Sequence, residues 1–458
     1  MESSIVKKIS ECYVKPKNEV SESKTPYHLP PLDLIMLSYH YIQDGLLFMK
    51  PNSHLNGDNE FSIHSFLESL KQSLSDTLVH FYPLAGQLVV HFDEDQHQCR
   101  VFVDCNKGPG ARFSHATALD FTVSDILSPN DDIPFVVRSF FDYNEEAVNY
   151  EGHSKPLLSV QVTQLIDGVF IACSINHAIS DGTSYWHFWN VWSEIHRGSG
   201  NNVSISRLPI HNRWFPEGCV LPIPLPFTHP NQFVKKFEPP QLREKMFHFS
   251  PESIATLKTK ANKESNSSDM ISSFQALSAL VWRSTVRAND LPHDQVIYNY
   301  MFANNRHRLN PPLPQNYFGT CIKGITTKTS AGELLDNNLG WAASLLHQSV
   351  VNLTDKVVRD FVKDWLKSPY CYHHTDLHDY NSIAMEHSPR FDMYGNDFGI
   401  GKPVAVRNGP GNKAVGVVFA YPGCEGNGSV DFEICLPPHS MKALETHDEF
   451  MAAVSLPK

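Results

Sequence analysis

A break near the middle of the chain limits the folds open to it. Gly198-Ser199-Gly200-Asn201-Asn202 is followed by Pro209, Pro216, Pro222, Pro224, Pro226, Pro230, Pro239 and Pro240. Proline removes a backbone donor, and both proline and glycine punctuate regular elements. A connection this long without elements of its own reads as a crossover between two units. The chain therefore divides into an N-terminal unit at 1–200, a crossover at 201–240 and a C-terminal unit at 241–458. With 41% hydrophobic and 19% charged residues, it has the material for large cores.

Strand and helix patterns alternate on both sides of the break. An extended segment covers Glu11 to Pro16. The apolar run Leu34 to Tyr41 ends near Asp44-Gly45. Phe66, Leu67, Leu70, Leu74 and Leu78 recur at spacings of three and four, predicting a helix from Ser62 to about Val79. Phe81 to Gly86 stops it, and Leu88 to His91 and Cys99 to Val103 read as paired strands. In the second half, Lys245 to Phe249 reads as a strand. Ser250-Pro251 then caps a helix. Further helices are predicted over 270–288 and 331–353. Strands are predicted over 296–301, 414–420 and 429–436.

The strongest local pattern is a hairpin. Pro156 to Leu165 is rich in β-formers, Asp167-Gly168 supplies a turn of φ > 0 residues, and Val169 to Ile175 is an apolar second strand. That strand runs into Asn176-His177-Ala178-Ile179-Ser180-Asp181-Gly182, and a helix follows from Thr183 to about His196. A buried strand ending in a short loop holds His177 rigidly. Neutral imidazole near pH 7 is well suited to taking a proton. On residue type alone, a packed strand-end histidine is the commoner outcome. His177 and Asp181 make a poor metal site, since a catalytic zinc wants three protein ligands. A second cluster, Cys371 to Asp379, places His374 and His378 four apart and reads as a polar loop or a metal site. Trp186, Trp189 and Trp192 read as core.

The formal net charge of -11 argues against bulk attraction to nucleic acid or anionic membranes. No apolar run is long enough to span a bilayer. Met1 to Ser10 lacks an apolar signal core, and the nine cysteines include no CxxC, which fits free thiols and a cytoplasmic location.

Two motifs stand in order along the chain. His177-x-x-x-Asp181-Gly182 lies in the first half, and Asp397-Phe398-Gly399-Ile400-Gly401 near the end, with Arg306-x-Arg308 and Tyr317-Phe318-Gly319 between them. Over nearly its whole length the chain resembles the plant BAHD acyltransferases, whose signatures are HxxxD and DFGWG. Phe81 to Gly86 and Leu277 to Arg283 match as well.

The resemblance implies an α/β fold of two similar chloramphenicol-acetyltransferase-like domains, each a mixed sheet flanked by helices. It implies a channel between them, with His177 near its middle. A segment of the second half can return to the first domain. The implied reaction moves an acyl group from an acyl-CoA co-substrate to a hydroxyl or amine of a small-molecule acceptor. His177 is the implied general base, no cofactor is permanently bound, metal included, and the enzyme is a monomer. Asp181 is implied to be structural, paired with Arg306 or Arg308. Asp397, Gly399 and Gly401 are likewise structural, with Ile400 in place of tryptophan. Ser388 is a candidate oxyanion donor or a turn serine before proline. Lys402, Arg407 and Lys413 read as contacts for coenzyme A phosphates or as a solvated basic face. Thr320 departs from the YFGNC pattern of flavonoid malonyltransferases. Two other readings remain open: a lyase working without coenzyme A on the same scaffold, and a non-catalytic binding protein.

Overall fold

The computed structural model describes residues 5–51, 61–127, 131–143, 147–198, 205–235, 240–265, 270–373, 376 and 380–456. Two six-stranded sheets organise them. The first runs, in spatial order, Lys7–Val14 (β1), Ala111–Thr117 (β6), Leu158–Gln164 (β7), Gly168–Ile175 (β8), Ile42–Met49 (β3) and Ala405–Asn408 (β14). The second runs Arg243–Phe249 (β10), Val430–Leu436 (β16), Val417–Pro422 (β15), Ser382–Glu386 (β13), Val296–Asn304 (β11) and Ile322–Ser330 (β12). A smaller sheet holds Tyr27–His28 (β2), Gln98–Asp104 (β5) and Gln87–Asp93 (β4), with Pro224–Leu225 (β9) paired to β5.

Both large sheets are mixed. β6 and β7 are parallel in the first, and β13 lies parallel to both its neighbours in the second. Helices Ile63–His80 and Gly182–Arg197 share the core of the first sheet. Helices Pro251–Glu264, Ser273–Ala288 and Leu339–Val351 share that of the second. The α/β class with two mixed, helix-flanked sheets is the one expected. β14 leaves the second half to pair with β3, from Ala405 opposite Leu47 to Asn408 opposite Asp44. Residue 241 is thus not a border between the sheets.

Several local expectations need correction. The hairpin loop is Ile166-Asp167, closed by Leu165 N–H donating to the Gly168 carbonyl at 3.0 Å. Neither Asp167 nor Gly168 has positive φ; the turn is held instead by the Asp167 carboxylate, which accepts from Val123 N–H at 2.7 Å. Asp44-Gly45 does not end a segment but sits inside β3. A glycine inside a strand marks close approach, and here the Phe170 ring lies where a Cβ on Gly45 would project, 2.2 Å away. The helix expected over 331–353 is two, Ala331–Asp336 and Leu339–Val351. Asn338 caps the second by accepting from Trp341 N–H. The crossover is no loose tether either. Ile223, Leu225 and Phe233 are buried, and His211 Nε2 donates to the His80 carbonyl at 2.7 Å.

Candidate active site

All eight residues of β8 are buried, as a central strand covered on both faces requires. Its end delivers Asn176 and His177 into a loop that is buried throughout. Asn149 organises the entry. Its side-chain oxygen accepts from His177 N–H at 2.7 Å, and its carbonyl accepts from the Asn176 amide at 2.7 Å. The Asn176 side chain in turn accepts from Ala178 N–H. The His177 carbonyl accepts from the Thr320 hydroxyl at 2.9 Å. Burial pushes the imidazole of His177 below the ordinary histidine range, against weaker upward pulls from its own carbonyl, Asp181 and Ser180. The ring is therefore neutral at neutral pH. It is 9% exposed, with Nδ1 buried.

Asp181 is fully buried. It caps the Gly182–Arg197 helix by accepting from Ser184 N–H at 3.0 Å. Arg306 grips it with Nη1 to Oδ2 at 2.7 Å and Nη2 to Oδ1 at 3.0 Å, and Cys321 N–H adds a bond at 2.9 Å. Burial alone would raise this carboxyl, but the guanidinium and the backbone donors hold it below the usual aspartate value. Arg306 also donates to the carbonyls of Tyr317 and Gly319. The ion pair thus joins the end of β8 in the first sheet to the loops beyond β11 and before β12 in the second.

Of the two candidate arginines, Arg308 takes no part in this contact; it donates to the Asn304 carbonyl at 2.6 Å. Ser388 behaves as a turn serine, its hydroxyl accepting from Arg390 N–H at 3.3 Å. Arg407 and Lys413 are corrections to the phosphate-contact expectation, because both are buried. Arg407 donates to the carbonyls of Ile126 and Leu127. Lys413 bridges Glu244 and Glu433, and of the three cations only Lys402 is exposed. His374 and His378 lie outside the described residues.

The second motif closes on itself. One Asp397 oxygen accepts from Gly399 N–H at 2.8 Å and Gly401 N–H at 3.1 Å. Both glycines hold positive φ, 78° and 93°. Phe398 is 1% exposed and packs edge-on against Trp189 and Trp192 of the Gly182–Arg197 helix. Ile400, half-buried, packs against the same core.

Sequence reasoning missed the support on the far side of the loop. Asp33 accepts from Thr320 N–H at 2.9 Å and forms a buried ion pair with Arg213 of the crossover. Thr320 therefore fastens His177 to a second ion pair. Its departure from the YFGNC pattern was the one visible signal. Asn149, Asp33 and Arg213 sit in no pattern at all.

Residues 4–451 match the model of the Transferase family. BAHD acyltransferase DCR of Arabidopsis thaliana is 35% identical over 97% of this chain and 92% of its own. Vinorine synthase superposes with a TM-score of 0.75 at 21% identity, covering 98% of this chain and 99% of the other. The TRI101 protein of F. sporotrichioides, solved with coenzyme A and T-2, gives 0.73 at 18% identity over 94% of this chain and 99% of the other. A family match over almost the full length, together with a relative aligned end to end, shows that the chain belongs to this transferase family, the plant BAHD acyltransferases, and is an acyltransferase.

Proposed function

We propose that the enzyme transfers an acyl group from an acyl-CoA thioester to a hydroxyl or amine of a small plant specialised metabolite, with His177 as general base. The observation that carries this is a neutral, rigidly held imidazole where the two halves of the chain meet. A hydroxyl is a poor nucleophile until its proton is taken as it attacks. With Nδ1 buried, Nε2 is the nitrogen that receives it. The oxygen adds to the thioester carbonyl, the tetrahedral intermediate collapses, and the C–S bond breaks. The imidazolium returns the proton to the departing thiolate. Both substrates reach one base, so the reaction passes through a ternary complex without an acyl-enzyme. Coenzyme A in the solved TRI101 complex supports the choice of donor. The enzyme works in the cytosol as a monomer and holds no permanent cofactor.

The test follows thiol release from a panel of acyl-CoA donors in the presence and absence of acceptors. Wild type releases thiol in step with a new ester or amide, and His177→Ala does not. A folded His177→Ala protein with full activity would defeat the assignment.

A further inference from the structure

A cavity of about 660 Å³ opens where the crossover lies against residues near the start of the chain. The short 3-10 helix Ser21–Lys24 and β2 form one side of it, and residues from His211 to Phe215 form the other. His177 does not line it, so it lies apart from the acyl-transfer site. Its size is that of a small-ligand pocket. Three rings build one corner. Tyr82 and His211 lie 4.8 Å apart at 55°, and Tyr27 stands at 87° to Tyr82 and 73° to His211. Rings so inclined do not collapse into a flat stack, which keeps the corner open. The ring of Tyr27 already carries one cation, the Arg213 guanidinium, 5.2 Å from its centre.

The charges around the cavity leave one carboxylate over. Arg213 spends its charge inward, on buried Asp33 and the Phe318 carbonyl. Burial pushes His211 down to about 4 and lowers His28, so both are neutral at neutral pH. Glu22 at the rim is exposed and ionised. The Ser21 hydroxyl, which donates to it at 2.8 Å, and its own backbone N–H lower its carboxyl. Lys24 pairs with Glu19 instead, and among the described residues no lysine or arginine meets Glu22. We propose that this cavity binds a small organic cation, an alkylated ammonium, with its charge toward Glu22 and its alkyl groups on Tyr82, His211 and Phe215. A carboxylate beside aromatic rings is the chemistry that holds such a head group. An exposed ion pair is worth little alone, so affinity comes from charge and aromatic contact together. The site does not depend on the acyl-transfer reading.

The experiment titrates the full chain with choline and with its uncharged isostere 3,3-dimethylbutan-1-ol, and reads Kd by ligand-observed NMR. Choline is expected to bind at one site, about tenfold tighter than the isostere, as a cation beside aromatic rings should. Glu22→Gln should weaken choline about threefold, the worth of one exposed charge, and Glu22→Lys should weaken it further. Asn212→Asp, which sets a second carboxylate at the exposed rim, should tighten choline by a similar factor. A gain of that kind cannot come from a misfolded variant, and none of these positions belongs to the machinery around His177. Equal affinity for choline and the isostere would overturn the proposal. So would a choline Kd that ignores all three substitutions, since the cation would then sit elsewhere, and so would the absence of saturable binding. None of these results touches the acyl-transfer assignment, which thiol release tests separately.

Discussion

The loop carrying His177 and the loop carrying Gly399 are both tight turns built on an aspartate, but they are held in opposite ways. Asp181 takes its partners from far along the chain, Arg306 and Cys321, as well as from Ser184. Asp397 bonds locally, to the backbone N–H groups two and four residues on. The first aspartate therefore couples two halves of the molecule, and the second shapes five residues. The first loop presents a neutral imidazole at the junction. The second buries Phe398 behind the helix that Asp181 caps. Two motifs of similar sequence strength thus do different physical work, one across the fold and one within a turn.

Removing the imidazole breaks the comparison most sharply. His177→Ala is expected to lower transfer by about 10²–10⁴-fold, the usual worth of a positioned base. Near-UV circular dichroism should stay native, because the bonds that fix the loop run through backbone atoms of residue 177. The thiol-release rate per folded molecule is the measurement.

Asp181→Ala comes next. It leaves Arg306 charged and buried without its carboxylate, which costs about 3–5 kcal/mol for a pair of this kind. Denaturant melts should show a fall in unfolding free energy of that size. Arg306→Ala should do the same, and the double variant should cost less than the sum, as expected for groups in one network. Arg308→Ala should lie within about 0.5 kcal/mol of wild type.

Much of this frame was legible in the sequence. Ser250 caps its helix as read, the helix expected from Ser62 begins one residue later with Ser62 as its cap, and the hairpin that delivers His177 lies where alternation placed it. What was not legible depends on where side chains end after the backbone has turned. Arg306 and Arg308 are equivalent in sequence, and only the path of the chain after β11 aims one at Asp181 and the other at a local carbonyl. Arg407 and Lys413 read as phosphate contacts or a solvated basic face because no short-range pattern shows that β14 crosses into the first sheet and buries Arg407, or that Glu244 and Glu433 of the second sheet meet Lys413. Asn149 meets His177, and Asp33 meets Thr320, through three-dimensional proximity alone, so no spacing rule could gather them.

The pH dependence tests the electrostatic side of the comparison. Burial holds His177 below 6.5, so the base is already neutral at neutral pH. The rate should be flat through neutrality and fall as pH drops through the depressed value, by about tenfold per unit beneath it. A midpoint at or above 6.5 would mean that the ring is solvated. The sign for stability is the same. The unfolded chain binds the proton first, so this residue makes stability fall as pH drops below 6.5.

The smallest effect belongs to the second loop, and it sharpens the contrast. Asp397→Ala removes two bonds to neighbouring N–H groups, which the loop can satisfy with water because Asp397, Gly399 and Gly401 are not sealed in the core. The loss resembles that of a helix cap, about 1 kcal/mol. Phe398 would still anchor the loop against Trp192, since its packing does not pass through the carboxylate. Turnover per folded molecule should then match wild type, while thermal melting shifts by only about one degree. A tenfold or larger fall in turnover per folded molecule would show that the turn communicates with His177 through the Gly182–Arg197 helix, and the division between a coupling aspartate and a local one would have to be abandoned.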